Sequence, residues 1–284
     1  MTASKLHPFS TRLILRRIAG RLAFIVFPCR HLVKAEHATQ VETILEQGNG
    51  LIVLMNHFSM RDALQVASWL FRKRVASRRL IVAPVAFHQH TPLVRFLADL
   101  IAIKLCPIVT SRTIKLGNGE KRRGTGIREY LNTAVDSLKD GGIVLIAPQG
   151  SRKSQLGGPI GHPVGNIISR ARRKGVHNFG ILCFGLGMPG VASYDRKMVG
   201  GSNLFRRFDL RVGQPYDAGE AVELAGGIDL LDAWIFEKLA ELVPDVYRGP
   251  ALKEAKESFS EGGKIVTNEM ESCHETISIP QKPG

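Results

Sequence analysis

Short apolar runs alternate with longer amphipathic segments between about residues 37 and 247. The apolar runs are rich in β-branched residues and are bounded by glycine, proline or polar residues, which is typical of buried strands. The predicted strands are Gly50–Met55, Leu80–Pro84, Ile103–Val109, Ile143–Ala147, Phe179–Leu186 and Phe208–Val212. The predicted helices are Ala38–Gln47, Arg61–Ala76, Pro92–Leu100, Gly126–Lys139, Gly165–Lys174 and Asp229–Leu242.

Strands that alternate with helices of this length indicate crossover connections. They predict an α/β fold in which helices flank a mostly parallel central sheet, with ligands bound beyond the carboxyl ends of the strands. We predict a helical segment over residues 1–36, one α/β domain over 37–249 and a polar, disordered tail over 250–284. The basic stretch Leu116–Gly126 is predicted to be a flexible loop, and it lacks the GxxxxGK[ST] pattern of a P-loop.

The N-terminal segment combines cations with large apolar side chains, and no acidic residue precedes Glu36. A helix in a membrane interface has this composition, because its cations meet anionic head groups while its apolar face enters the acyl boundary. A packing helix with a solvated basic face is the alternative. The apolar stretch Leu22–Pro28 is much shorter than the roughly 20 residues that a membrane span needs. We therefore predict a peripheral or monotopic protein that contacts a phospholipid surface.

Composition narrows the class of partner. The formal net charge of +14 favours an anionic partner, such as nucleic acid, an anionic membrane or a phosphorylated substrate. Aromatic residues make up only 7% of the chain and no nucleic-acid-binding motif is present, so nucleic acid is not a predicted partner. His88 and His90 have no partner cluster at ligand spacing, so no metal is predicted. Four widely spaced cysteines predict reduced thiols and the cytoplasmic side of the membrane.

The first candidate site follows the predicted strand Gly50–Met55. Asn56 and His57 come directly after it, and Ser59 and Asp62 have the spacing of a helix capping box. If His57 precedes the helix and Asp62 lies in its first turn, the carboxylate can hold one imidazole nitrogen. The other nitrogen is then left to accept a proton from a hydroxyl. The spacing by itself fits a helix cap beside a loop histidine equally well.

The pattern Asn56-His57-x-Ser59-x-x-Asp62 resembles the first motif of the glycerolipid acyltransferase family, which includes the lysophosphatidate acyltransferases. The segment Ile108–Arg112 resembles the second motif, and Ala147–Arg152 resembles the third, which usually reads Pro-Glu-Gly-Thr/Ser-Arg. The likeness runs from about residue 50 to 216 in the same order. It implies that His57 is a general base oriented by Asp62, and that no acyl-enzyme forms.

The resemblance implies transfer of a fatty acyl group from acyl-CoA or acyl carrier protein to a lysophospholipid hydroxyl, with 1-acylglycerol-3-phosphate as the favoured acceptor and no cofactor. The predicted substrate-binding residues are Asn56, Ser59, Arg112, Gln149, Gly150, Ser151 and Arg152. Guanidinium groups such as those of Arg112 and Arg152 suit bidentate phosphate binding.

Three departures from the family pattern stand out. Gln149 occupies the usual Glu position, Ser111 replaces a frequent Asp, and Ile181–Leu186 matches the fourth motif poorly. A neutral amide can still form hydrogen bonds to glycerol hydroxyls, but it cannot act as an anion. A non-catalytic phospholipid-binding protein on the same fold is therefore the alternative.

Overall fold

The computed structural model describes residues 8–26, 29–57, 59, 62–86, 89–109, 114–116, 119–121, 124–150, 155–156, 161–189 and 207–248. Its strands are β1 (Cys29–Val33), β2 (Gly50–Met55), β3 (Ile81–Ala86), β4 (Ile103–Ile108), β5 (Ile114–Leu116), β6 (Gly119–Lys121), β7 (Ile143–Ile146), β8 (Phe179–Gly187) and β9 (Phe208–Asp217). Its helices are α1 (Pro8–Val26), α2 (Ala35–Glu46), α3 (Asp62–Phe71), α4 (Pro92–Leu100), α5 (Ile127–Lys139), α6 (Pro163–Arg173), α7 (Ala218–Leu224), α8 (Ile228–Leu242) and α9 (Asp245–Arg248). A short 3-10 helix spans Ala76–Arg78.

Seven strands form one sheet in the order β1-β9-β8-β2-β7-β3-β4. All neighbouring pairs are parallel except β8 and β9, which run antiparallel. The predicted α/β fold with a mostly parallel sheet is confirmed. Because β7, β2 and β8 are adjacent and parallel, their carboxyl ends open onto the same edge of the sheet, where a ligand site is expected.

Helices cover both faces of the sheet, because strands such as β2 carry apolar side chains on both faces. The alternate side chains of β2 point to opposite faces. Ile52 and Leu54 join a core with α5, α6 and α8, whereas Leu51, Val53 and Met55 join a second core with α2 and α3. All six residues of β2 are buried, which explains why the strand reads as a continuous apolar run.

The N-terminal helix α1 packs against α3. Gly20 permits the close approach, because a Cβ at that position would lie 2.9 Å from the Cβ of Phe71, and the Ser68 hydroxyl donates to the Gly20 carbonyl. Arg16 is buried and donates to the carbonyls of Ile101 and Ala102, just beyond α4. It also donates to the carbonyls of Ser77, within the 3-10 helix, and of Arg79, directly after it. These bonds fix α1 against the domain.

No helix within the described ranges is long and apolar enough to cross a membrane.

A buried carboxylate connects α8 to the start of α6. Asp232 of α8 is buried and accepts hydrogen bonds from the backbone N–H groups of Val164 and Gly165, in the first turn of α6. Burial raises the pKa of Asp232 to about 6, against the opposing effect of those two N–H groups.

Gly126 precedes α5 with a φ of +83°, and a Cβ there would lie 2.1 Å from the carbonyl oxygen of Pro107. Glycine at this position therefore lets the start of α5 lie close to the end of β4.

Two predicted elements differ from the structure, and two strand segments are additional to the prediction. The helix expected over Arg61–Ala76 ends at Phe71, because the N–H groups of Arg74 and Val75 donate to the Glu42 carboxylate on α2 instead. The loop predicted over Leu116–Gly126 is wrong in part, since β6 (Gly119–Lys121) lies within it and pairs antiparallel with β5. Strands β1 and the second half of β9 were not predicted. The tail over 250–284 lies outside the described residues.

Candidate active site

The site is built where β2, β7 and β8 end together. Asn56 and His57 continue from the last residue of β2, and Gln149 follows β7 after two residues. Leu186 lies near the carboxyl end of β8, where Met55 pairs with Phe184. Parallel pairing alone therefore brings side chains together that are far apart in sequence.

His57 and Asp62 form the central pair. The ring Nδ1 of His57 lies 3.1 Å from Oδ2 of Asp62, and the backbone N–H of Ser59 donates to the same oxygen at 2.7 Å. The Ser59 bond is one half of the expected capping box, so the carboxylate serves the helix terminus and the imidazole at once. The Asp62 side chain is fully buried, whereas 25% of the His57 side chain is exposed.

This geometry defines the tautomer of the imidazole. A buried carboxylate accepts the proton on Nδ1, so the neutral ring presents Nε2 with a free lone pair. The same arrangement of carboxylate, imidazole and attacking hydroxyl activates the nucleophile in serine hydrolases. The pair is therefore suited to accept a proton from a hydroxyl brought to the exposed side of the ring.

Gln149 supports the backbone of His57. Its Oε1 accepts a hydrogen bond from the His57 N–H at 2.8 Å, and its Nε2 donates to the carbonyl of Gln155 at 3.1 Å. The side chain is only 1% exposed. A turn closed by the Gly150 N–H and the Ala147 carbonyl carries it, and Gly150 adopts a φ of +68° that favours glycine.

Asn56 joins β2 to β8. Its Oδ1 accepts from the Leu186 N–H at 2.7 Å, and its Nδ2 donates to the Leu186 carbonyl at 2.9 Å. The side chain is buried, and these two bonds continue the ladder of the sheet one residue beyond the paired strands. The consequence is that the position of His57 is set from both neighbouring strands, by Gln149 on one side and Asn56 on the other.

The structure brings together five of the residues predicted from sequence. Asn56, His57, Ser59, Asp62 and Gln149 meet through the bonds given above, and Gly150 lies in the adjoining turn. Arg112, Ser151 and Arg152 lie outside the described residues.

Gln155 belongs to the hydrogen-bond network behind His57, although nothing in the sequence indicated it. Its carbonyl accepts from Gln149, its side chain donates to the Val246 carbonyl, and the next residue, Leu156, donates to the Tyr247 carbonyl. These contacts link the turn behind His57 to α9. No motif or periodicity marks a backbone carbonyl as a partner, so no sequence signal pointed to it.

Within the described residues, no three His, Cys, Asp or Glu side chains are grouped as metal ligands. The described cysteines Cys29, Cys106 and Cys183 are buried free thiols, and burial raises the pKa of Cys183 to about 12.

The His57 imidazole and the Gln149 amide follow the ends of the parallel strands β2 and β7, and the buried Asp62 carboxylate lies in the first turn of α3. The model of the Acyltransferase family matches residues 34–187, which is more than half of the 284-residue chain. The chain therefore belongs to the Acyltransferase family, and acyl transfer is its general reaction class. No curated protein matches the sequence.

Proposed function

We propose that this acyltransferase moves a fatty acyl group from acyl-CoA or acyl carrier protein to the hydroxyl of a lysophospholipid, most favourably 1-acylglycerol-3-phosphate. The observation that carries the proposal is the pairing of the partly exposed His57 ring with the fully buried Asp62 carboxylate. A base of this kind needs no nucleophilic serine or cysteine, because the acceptor hydroxyl is itself the nucleophile.

The proposed step balances as follows. The acceptor hydroxyl attacks the thioester carbonyl of the donor while Nε2 of His57 takes its proton, and a new C–O bond forms. The tetrahedral intermediate then collapses, the C–S bond breaks and the leaving thiolate receives the proton from the imidazolium. Asp62 stabilises the imidazolium and keeps the ring in place, as the carboxylate does in comparable triads.

Binding of the acceptor phosphate is assigned to Arg112 and Arg152. The support is their sequence position shortly after β4 and β7, and the suitability of guanidinium groups for bidentate phosphate binding. Holding the phosphate near the strand ends would present the adjacent glycerol hydroxyl to His57, so positioning would supply much of the rate.

We also propose that the protein works at the cytoplasmic face of a phospholipid membrane, as a peripheral or monotopic protein. The acceptor is an amphiphile that partitions into lipid, so an enzyme at the surface meets it at high local concentration. The strongly basic N-terminal segment supports attraction to anionic lipid.

The decisive experiment is an acyl-transfer assay on the purified full chain with the variants His57→Ala and Asp62→Asn. Loss of the general base is expected to lower kcat about 10²- to 10⁴-fold. Asp62→Asn is expected to act similarly, because the amide would favour the wrong imidazole tautomer. His177→Ala, at an exposed histidine, is the matched control. Undiminished transfer by His57→Ala would exclude this mechanism.

The acceptor is identified with a panel of lysophospholipids and glycerol 3-phosphate. Arg112→Ala and Arg152→Ala are expected to raise KM about tenfold or more for acceptors with a terminal phosphate, and less for lysophosphatidylcholine. Phospholipid binding by the wild-type chain without transfer to any acceptor would favour the non-catalytic alternative.

A further inference from the structure

Helix α1 carries an apolar stripe on the side turned away from the domain. Arg16 and Gly20 make the contacts with the domain. At about 100° per residue, the opposite side of the helix holds four exposed side chains. They are Ile14, Ile18, Leu22 and Ile25. Arg17 and Arg21 are also exposed and lie along one flank of this stripe.

Helix α4 has the same organisation. Ala98 is its buried residue, and five large apolar side chains of the helix are exposed. They are Leu93, Val94, Phe96, Leu97 and Leu100, and Phe96 is 63% exposed. Nine of the thirteen exposed large apolar side chains in the described part of the chain thus belong to α1 and α4. Soluble monomeric proteins rarely expose contiguous apolar patches of this kind.

Arg16 holds the two helices in a fixed relationship. Its guanidinium, extending from α1, donates to the carbonyls of Ile101 and Ala102, which directly follow α4. The Arg16 side chain is buried and the bonds are charge-assisted, so they are stronger than bonds between neutral groups. The Arg16 bonds therefore fix α1 against the segment that directly follows α4.

We propose that the outer faces of α1 and α4 together form one surface that docks on an anionic phospholipid bilayer, and that α4 is a second lipid-inserting helix beside α1. The inference deepens the proposed function, on which it rests for the need to reach a lipid acceptor. The exposed side chains are long aliphatic and aromatic groups of the kind that enter the acyl boundary.

The positive charge of α1 favours a lipid surface, rather than a second copy of the chain, as the partner of these faces. Helix α1 contains no acidic residue, and Arg17 and Arg21 flank its stripe, so two copies packed face to face would bring like charges together. On α4 the exposed Arg95 is paired with Asp99, which leaves the cations of α1 in excess over the surface. Anionic head groups complement that excess, because each cation close to the membrane surface adds to the attraction.

The test is co-sedimentation of the full chain with vesicles of phosphatidylcholine containing phosphatidylglycerol. The double variant Phe96→Ser/Leu97→Ser on α4 is expected to lower the partition coefficient at least tenfold, as is Ile18→Ser/Leu22→Ser on α1. Leu224→Ser/Leu230→Ser removes two similarly exposed side chains from α7 and α8 and is the matched control, with binding unchanged. Thermal unfolding verifies that each variant folds.

A single substitution on α4 can report insertion into the bilayer directly while vesicle binding is retained. Phe96→Trp is expected to shift tryptophan emission to the blue on addition of vesicles and to be quenched by brominated acyl chains, whereas Leu230→Trp is not. Vesicle binding that is unchanged in the α4 double variant would overturn the proposal. So would a dimer in light scattering that the α4 variant converts to monomer, since a second copy would then cover the face.

A separate assay distinguishes this proposal from the proposed function. Transfer to a short-chain acceptor dissolved below its critical micelle concentration requires no docking, so the α4 variant is expected to keep the wild-type kcat there. Vesicle binding as expected, without acyl transfer by the wild type, would count against the function alone. Acyl transfer with α4-independent vesicle binding would count against the docking surface alone.

Discussion

The side-chain oxygen of Gln149 accepts a hydrogen bond from the backbone N–H of His57 at 2.8 Å. The other end of the amide donates to the Gln155 carbonyl, so both ends of this buried side chain are engaged by backbone groups. An amide suits the position because it offers one acceptor and one donor, whereas an ionised carboxylate offers acceptors only. The glutamine at this position therefore fits its surroundings better than the glutamate usual in the family.

Gln149→Glu is therefore expected to lose stability and turnover together. The carboxylate would face the Gln155 carbonyl without a proton between them, at a cost of about 1–3 kcal/mol in unfolding free energy. The shift of the His57 backbone is expected to lower kcat about tenfold with a smaller change in the acceptor KM. Urea denaturation and steady-state kinetics measure the two effects, with the exposed Gln40→Glu as control. A lower acceptor KM at unchanged kcat would instead make residue 149 a substrate ligand.

Asn56→Ala removes both bonds to Leu186 and leaves two buried backbone groups of β8 without those partners. We expect a loss of about 2–4 kcal/mol in unfolding free energy, since each unsatisfied buried group costs about 1–3 kcal/mol. Chemical denaturation measures it. The control Asn178→Ala, at an exposed asparagine beside β8, is expected to stay within about 0.5 kcal/mol of wild type.

Asp232 predicts a stability that depends on pH. Burial raises its pKa from 3.8 to about 6 on folding, so the folded state binds this proton more tightly than the unfolded state. The stabilisation is full below about pH 4 and is lost as the pH rises through about 6, with a size on the order of 3 kcal/mol.

Thermal unfolding between pH 4 and pH 7 checks this dependence. Asp232→Asn cannot titrate, so the decline of stability across the window is expected to be shallower than in the wild type. Asp229→Asn, on the exposed side of the same helix, is expected to retain the wild-type slope. Identical slopes in Asp232→Asn and the wild type would show that another group titrates.

Two neighbouring glycines provide a matched pair of variants. Gly124 and Gly126 both have positive φ, but a Cβ at Gly124 meets nothing within 4 Å, whereas one at Gly126 meets the Pro107 carbonyl at 2.1 Å. Gly124→Ala is expected to cost about 1 kcal/mol from backbone strain alone. Gly126→Ala is expected to cost at least about 2 kcal/mol more, because α5 must shift from the end of β4. Denaturation midpoints that agree for the two variants would contradict this.

The sheet was predictable from sequence because strands such as β2 are buried on both faces and read as uninterrupted apolar runs. Strand β1 was not, since Cys29-Arg30-His31-Leu32-Val33 lacks such a run. It is an edge strand held by its pairing with β9 and by the ion pair of Arg30 with Asp209. Both contacts join segments far apart in sequence, and no local pattern encodes them.

The candidate site likewise combines one local contact with contacts between segments far apart in sequence. His57 and Asp62 are five positions apart, and their meeting follows from a turn at the end of a strand and the start of a helix. The positions of Gln149 and Asn56 depend on the strand order that places β7 and β8 on either side of β2. Sequence indicated those residues by resemblance, but only the order of strands explains which backbone groups they hold.

Because the position of His57 depends on both neighbouring strands, its proposed role predicts that acyl-transfer activity depends on how far the sheet has assembled. The contacts to Gln149 and Leu186 close loops of 92 and 130 residues, whereas the pairing with Asp62 closes five. Contacts of such high sequence separation form late and slowly. During refolding from denaturant, His57 and Asp62 are therefore expected to pair early. Acyl-transfer activity is expected to return only later, when β7 and β8 have paired with β2.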